Sequence, residues 1–178
     1  MGALIAALLI MLRQPGGFIV TMFVCVSGLL CSLAQSAPVS THPATAASTV
    51  AADVIELTNV ERTHHRRPAL RANARLMKAA QLQAEQMARA AHMAHVLPDA
   101  RYPRAQDRLA AADYRWHAFG ENVAFGQPSA AKVLDSWMHS DGHRLNILNS
   151  TFTEMGAGYA VDRTGRPYYV QVFAQPLS

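Results

Sequence analysis

The stretch "ANARLMKAAQLQAEQMARAAHMAHV", residues 72–96, constrains the fold more than any other part of the chain. Leu76, Ala80, Ala84 and Met87 recur at the spacing of one helix face. The stretch is dense in alanine and holds no Gly or Pro. Pro98 stops it. The C-terminus has another period. "MGAGYAV" (155–161) and "YYVQVFAQ" (168–175) are rich in Tyr, Val and Phe and predict strands, with "DRTGRP" (162–167) as their turn. A long helix with one face to bury, followed by a late hairpin, defines an α+β domain whose helices pack on an antiparallel sheet.

Two more helices are expected. "AADVIELTNVER" (51–62) places Val54 and Leu57 at helical spacing, and the proline of "RRPAL" ends it. "SAAKVLDSWMHS" (129–140) groups Ala130, Val133 and Trp137 on one face. Ser129 is placed to cap it, and Gly142 to terminate it. "AQDRLAAADY" (105–114) has room for a short helix. No internal repeat is present.

The N-terminus belongs to a different class of segment. Before Asp53 there is no acid, and the apolar run from Phe18 to Ala34 follows Arg13 and ends in small residues. Residues 1–36 predict a secretory signal, with a mature chain beginning near residues 35–37 and a translation start at Met1 or Met11. An uncleaved membrane anchor is the alternative, since the run is just long enough to span a bilayer. A lipid-modified Cys31 fits less well, because Leu30 before it is not small. Residues 37–50, rich in Ala, Ser, Thr and Pro, predict a linker, leaving residues 51–178 as one domain.

This division has chemical consequences. Both cysteines, Cys25 and Cys31, fall in the leader. The mature domain therefore has no disulfide, no thiolate nucleophile and no cysteine-held metal. It must be held by its core alone, and the expected state is a monomer. Loss of the leader lowers the net charge from +4 to +3. That is too mild to specify nucleic acid, and "RTHHRR" (62–67) is expected to be a solvated helix end.

"GENVAFG" (120–126) and "SWMHSDGHRLNIL" (136–148) hold the candidate site residues. Glu121 and His143 are expected in irregular segments on either side of one short helix, where the chain can bring them together. His92 and His95 are three apart and share a face if the long helix reaches them. There is no H-E-x-x-H, no G-x-S-x-G and no phosphate loop. Ser140 precedes His143 by three residues, a spacing that defines no triad. By themselves these residues predict an exported α+β domain with a His/Glu cleft.

Six motifs in order now narrow the class. They are "LTNVER" with Asn59 and Arg62, "LRANARL", the "AHMAH" that ends in His95, "GENVAFG" with Asn122, "WMHSDGHRLNIL" with Trp137 and Asn146, and "FTEMGAGYA" followed by "YYVQVF" with Gln171. Over 52–175 the chain resembles the CAP superfamily of cysteine-rich secretory, antigen 5 and pathogenesis-related 1 domains, in its bacterial SCP-like extracellular branch. The resemblance implies a three-layer α-β-α sandwich with a central antiparallel sheet and a groove. It carries the family's first histidine onto His95 and its first glutamate onto Glu121. The second histidine's place is taken by Tyr168, and His143 stands near the second glutamate's place. The resemblance thus implies a groove of His95, Glu121, His143 and Tyr168, with His95, Glu121 and His143 as possible ligands for zinc or another divalent cation. It implies a secreted or periplasmic binding module for a small apolar or lipid-like ligand or an envelope component. A metal-assisted hydrolase and a structural envelope protein are the alternatives.

Overall fold

The computed structural model describes residues 43–177, with side chains from Ala46. The expected signal, 1–36, lies outside the described residues. The elements are α1 (Pro43–His64), β1 (Arg71–Ala72), α2 (Ala74–Ala90), α3 (Ala105–Ala111), β2 (Trp116–Phe125), α4 (Ala130–Met138), α5 (Asp141–Leu148), β3 (Glu154–Val161) and β4 (Pro167–Pro176). The sheet order is β1-β3-β4-β2. Among the described residues only the short β1 pairs in parallel, with β3; the other pairings are antiparallel.

Strand β4 shows why the domain has three layers. Side chains on a strand alternate between faces. Tyr168, Val170, Val172 and Ala174 join the cluster built on Leu76, Ala80, Ala84 and Met87 of α2. Tyr169 and Phe173 join the opposite cluster, with Val54 of α1 and Val133 and Trp137 of α4. One sheet thus has a helical layer on each face, as the resemblance implied.

Four details depart from the sequence reading. Helix α1 begins at Pro43, inside the stretch read as linker. Helix α2 ends at Ala90, because Ala91 turns left-handed at φ 48° and its amide closes on Met87 and Ala88; His92 and His95 lie beyond it. "GENVAF" is not irregular but forms the end of strand β2. Gly142 does not stop a helix: it sits in the first turn of α5, which carries His143.

The polar motif residues lock these layers together. Asn59 donates to the Leu70 carbonyl at 3.0 Å and accepts from the Leu70 amide at 2.8 Å. Arg62, 1% exposed, donates to the carbonyls of Pro68, Ile147 and Asn149. It thereby satisfies the last carbonyls of α5 from the end of α1. Trp137 is buried and its indole N–H donates to the Val123 carbonyl at 3.2 Å. Trp137→Phe keeps most of the packing and leaves that carbonyl unpaired. A loss of about 1–3 kcal/mol is expected in chemical denaturation; no loss at all would mean that the indole is solvated.

Candidate functional site

Glu121 is central in β2 and pairs in register with Val172. It therefore points to the same face as Val123 and Val170, toward α2 and α3. Its carboxylate is 5% exposed and has two partners. Arg108 donates to Oε2 at 2.7 Å, and His95 Nδ1 lies 3.0 Å from Oε1.

Arg108 is the residue that the sequence reading missed. It projects from α3, its side chain is 1% exposed, and it also donates to the carbonyls of Tyr102, Pro103 and His95. Its Nε is buried without a partner. One guanidinium thus ties the connecting segment 95–103 to the centre of the edge strand β2. His95 itself is 56% exposed, and only its Nδ1 is engaged with protein. The hydrogen bond to Glu121 raises its imidazole above the ordinary value, against burial and the Arg108 charge.

Asn122 points to the other face of the sheet, where it holds α5. Its amide donates to the His143 carbonyl at 3.1 Å and to Gln171 Oε1 at 3.0 Å. Gln171 in turn donates to Thr58 of α1 at 2.6 Å. Asn146 donates to Asn122 Oδ1 at 2.9 Å and to the Glu121 carbonyl at 3.3 Å. Through these buried amides α5 is seated on β2 directly beside Glu121. The His143 ring is half-buried, with Nδ1 2.9 Å from Ser140 Oγ. Burial first, then the charge on His95, push this imidazole below its ordinary value. The two histidines therefore sense each other electrostatically, although no hydrogen bond joins His143 to Glu121.

Two expected site features need correction. Tyr168 is fully buried in the cluster under α2, stacked on Phe125 at 6.0 Å between centroids. It lies four places along β4 from Val172, the partner of Glu121, or roughly 13 Å at strand rise. It is a core residue. A divalent cation on His95, Glu121 and His143 does not fit either. Among the described residues no three His, Asp or Glu side chains are grouped as a metal needs. The Glu121 oxygen not facing His95 is taken by a buried guanidinium, a fixed positive charge beside the place a cation would occupy. This arrangement supports no metal-assisted hydrolysis.

The profile of the cysteine-rich secretory protein (CAP) family matches residues 55–173, and the chain belongs to that family. It is 36% identical over 106 residues to the uncharacterized protein YkwD of Bacillus subtilis, a match covering 60% of this chain and 40% of YkwD. It is 32% identical over 120 residues to the uncharacterized membrane protein YlbC of the same organism, covering 67% of this chain and 33% of YlbC. The chain therefore matches well under half the length of these relatives. An extracellular SCP-domain protein of Bacillus anthracis superposes with a TM-score of 0.66 at 26% identity, over 74% of this chain and 42% of that one. A Staphylococcus aureus cysteine-rich secretory protein shares the fold, with a TM-score of 0.60 at 22% identity, over 74% of this chain and 40% of that one. Among the described residues no helix is long and apolar enough to cross a membrane.

Proposed function

We propose that this is an exported CAP domain, secreted or periplasmic, that works as a monomeric binding module through the surface between His95 and His143. The carrying observation is that two imidazoles stand on rigid supports: the exposed His95 ring is held by Glu121, itself held by Arg108, and the half-buried His143 has its backbone carbonyl held by Asn122. A rigid pair of ring nitrogens suits the carbonyl, carboxylate or other acceptor of a small ligand. The segments that bear them also expose Met93, Val96 and Leu145, apolar surface for the rest of a small apolar or lipid-like molecule or an envelope component. Contact with a membrane would come only through an uncleaved leader, and nothing in the charge calls for nucleic acid.

The direct test is mass spectrometry of small molecules that co-purify with the exported protein and with His95→Ala. A compound present with the first and lost with the second is expected. Identical extracts would place the binding surface elsewhere.

The electrostatics make a separate prediction. Glu121→Gln removes the group that raises His95, so the His95 titration in an NMR pH series should move down. His143 should hold or move up, because its neighbour then carries less charge over the same range. An unmoved His95 would sink the pairing. The stability signs follow. The raised His95 contributes fully below its unfolded-state value, and this is lost as pH rises through the higher folded one. The lowered His143 acts oppositely and costs stability as pH falls.

A further inference from the structure

We propose that Ser140 is a nucleophile with His143 as its base, so that this surface cleaves carboxylic esters rather than only holding ligands. The observation is an anomaly in helix capping. A serine at the N-cap ordinarily turns its hydroxyl back to accept from an amide of the first turn. Ser129 does so at α4, accepting from the Lys132 amide at 3.3 Å. Ser140 occupies the N-cap of α5 with extended backbone but makes no side-chain cap bond. Its Oγ is instead 2.9 Å from His143 Nδ1. That is the distance at which an imidazole can take a hydroxyl proton.

The surroundings suit the chemistry. The first helical bond of α5 runs from the Arg144 amide to the Ser140 carbonyl. The amides of Gly142 and His143 come before it, and neither has an intrahelical acceptor. Such first-turn amides are the donors that an oxyanion beside Ser140 needs. The His143 backbone is held by Asn122, so the base stands on the buried amide network. Half-burial first, then the His95 charge, push its imidazole below its ordinary value, the direction a base needs. Beyond it lies His95, its Nδ1 held by Glu121 and close enough for its charge to act on the His143 ring.

The step balances without a metal or a redox partner. Ser140 Oγ bonds to the ester carbonyl carbon while its proton passes to His143 Nδ1, and the carbonyl electron pair moves onto oxygen. Collapse re-forms the carbonyl and breaks the bond to the alkoxy oxygen, which leaves as the alcohol with the proton from His143. Water then attacks the acyl-serine and gives a proton to Nδ1. The carboxylic acid departs as that proton returns to Ser140 Oγ. The net change is ester plus water to acid plus alcohol.

This rests on the same surface as the binding reading, and the test separates the two. The exported protein is treated with a fluorophosphonate, which phosphonylates an activated serine with loss of fluoride, and the adduct is located by peptide mass mapping. A single adduct on Ser140 is expected, absent in Ser140→Ala. His143→Ala should slow its formation on the order of 10²-fold or more. Ser136→Ala removes a hydroxyl on α4 that bonds only the Lys132 carbonyl, and should label as the parent does. Each variant's thermal unfolding is compared with the parent's, so a misfolded protein is not scored. No adduct on Ser140, or equal rates with and without the His143 ring, overturns the nucleophile. If His95-dependent capture of a small molecule persists in that case, the binding reading stands without the chemistry.

Discussion

Arg108→Met is expected to lower the unfolding free energy by about 3–5 kcal/mol, the range for removing one partner of a buried ion pair. Methionine fills much of the same volume, so the loss is electrostatic more than steric. Three consequences add. The Glu121 carboxylate, 5% exposed, keeps only the exposed His95 as a partner. The carbonyls of Tyr102 and Pro103 lose their donor, and the 95–103 segment loses its tie to the sheet. A double variant, Arg108→Met with Glu121→Gln, should recover part of the loss, because the unpaired charge is gone. Urea titrations of the parent, Arg108→Met, Glu121→Gln and the double variant check all of this. A single-variant loss below about 1 kcal/mol, the surface range, would show that the guanidinium is solvated.

The contrast between Arg108 and its partner shows how far sequence reading reaches. Glu121 stood out because a carboxylate between glycine and asparagine asks for a reason. Arg108 did not, because nothing local separates one buried arginine from the exposed Arg101 and Arg104 nearby. Only the fold decides which guanidinium reaches the sheet. Strand β2 was obscured by its own polar residues. Phe119, Val123 and Phe125 alternate as a strand requires, but Glu121 occupies the place between Phe119 and Val123, and Asn122 breaks the pattern on the other face. Reading that alternation through the charge would have found the strand. Helix α5 had a comparable clue, since His143, Asn146 and Ile147 share a face at helical spacing. The end of α2 had none. An alanine in the left-handed region is rare, and the sequence around Ala91 is as helix-favouring as the helix itself. The long helix, the C-terminal hairpin and the Trp137 helix were legible because their apolar periodicity survives intact.

The second large effect belongs to that hairpin, and it explains why "MGAGYA" spaces its glycines by two. Gly156 and Gly158 lie on one face of β3, against α2. A Cβ built on Gly156 would stand 2.2 Å from the main-chain carbon of Leu76 and the amide nitrogen of Met77. One on Gly158 would stand 2.4 Å from the main-chain carbon of Ala80. Leu76 and Ala80 are one helical turn apart, so the two glycines form a track on which the backbone of α2 lies directly. Carbon atoms rest at about 3.5–4.0 Å, so any side chain on the track must lift the helix by roughly 1 Å or more. The helix has no freedom to lift, because Leu76, Ala80, Ala84 and Met87 are all completely buried beneath it. Gly156→Val should therefore cost at least about 4–5 kcal/mol, the exceptional end of single substitutions. The expected result is a domain with no cooperative thermal transition. Gly142→Ala is the control, since nothing lies within 4 Å of the added carbon. It should unfold no earlier than the parent. If Gly156→Val melts within a few degrees of the parent, α2 is not held on the sheet by backbone contact. The placement of His95, which follows the end of that helix, would then have to be drawn again.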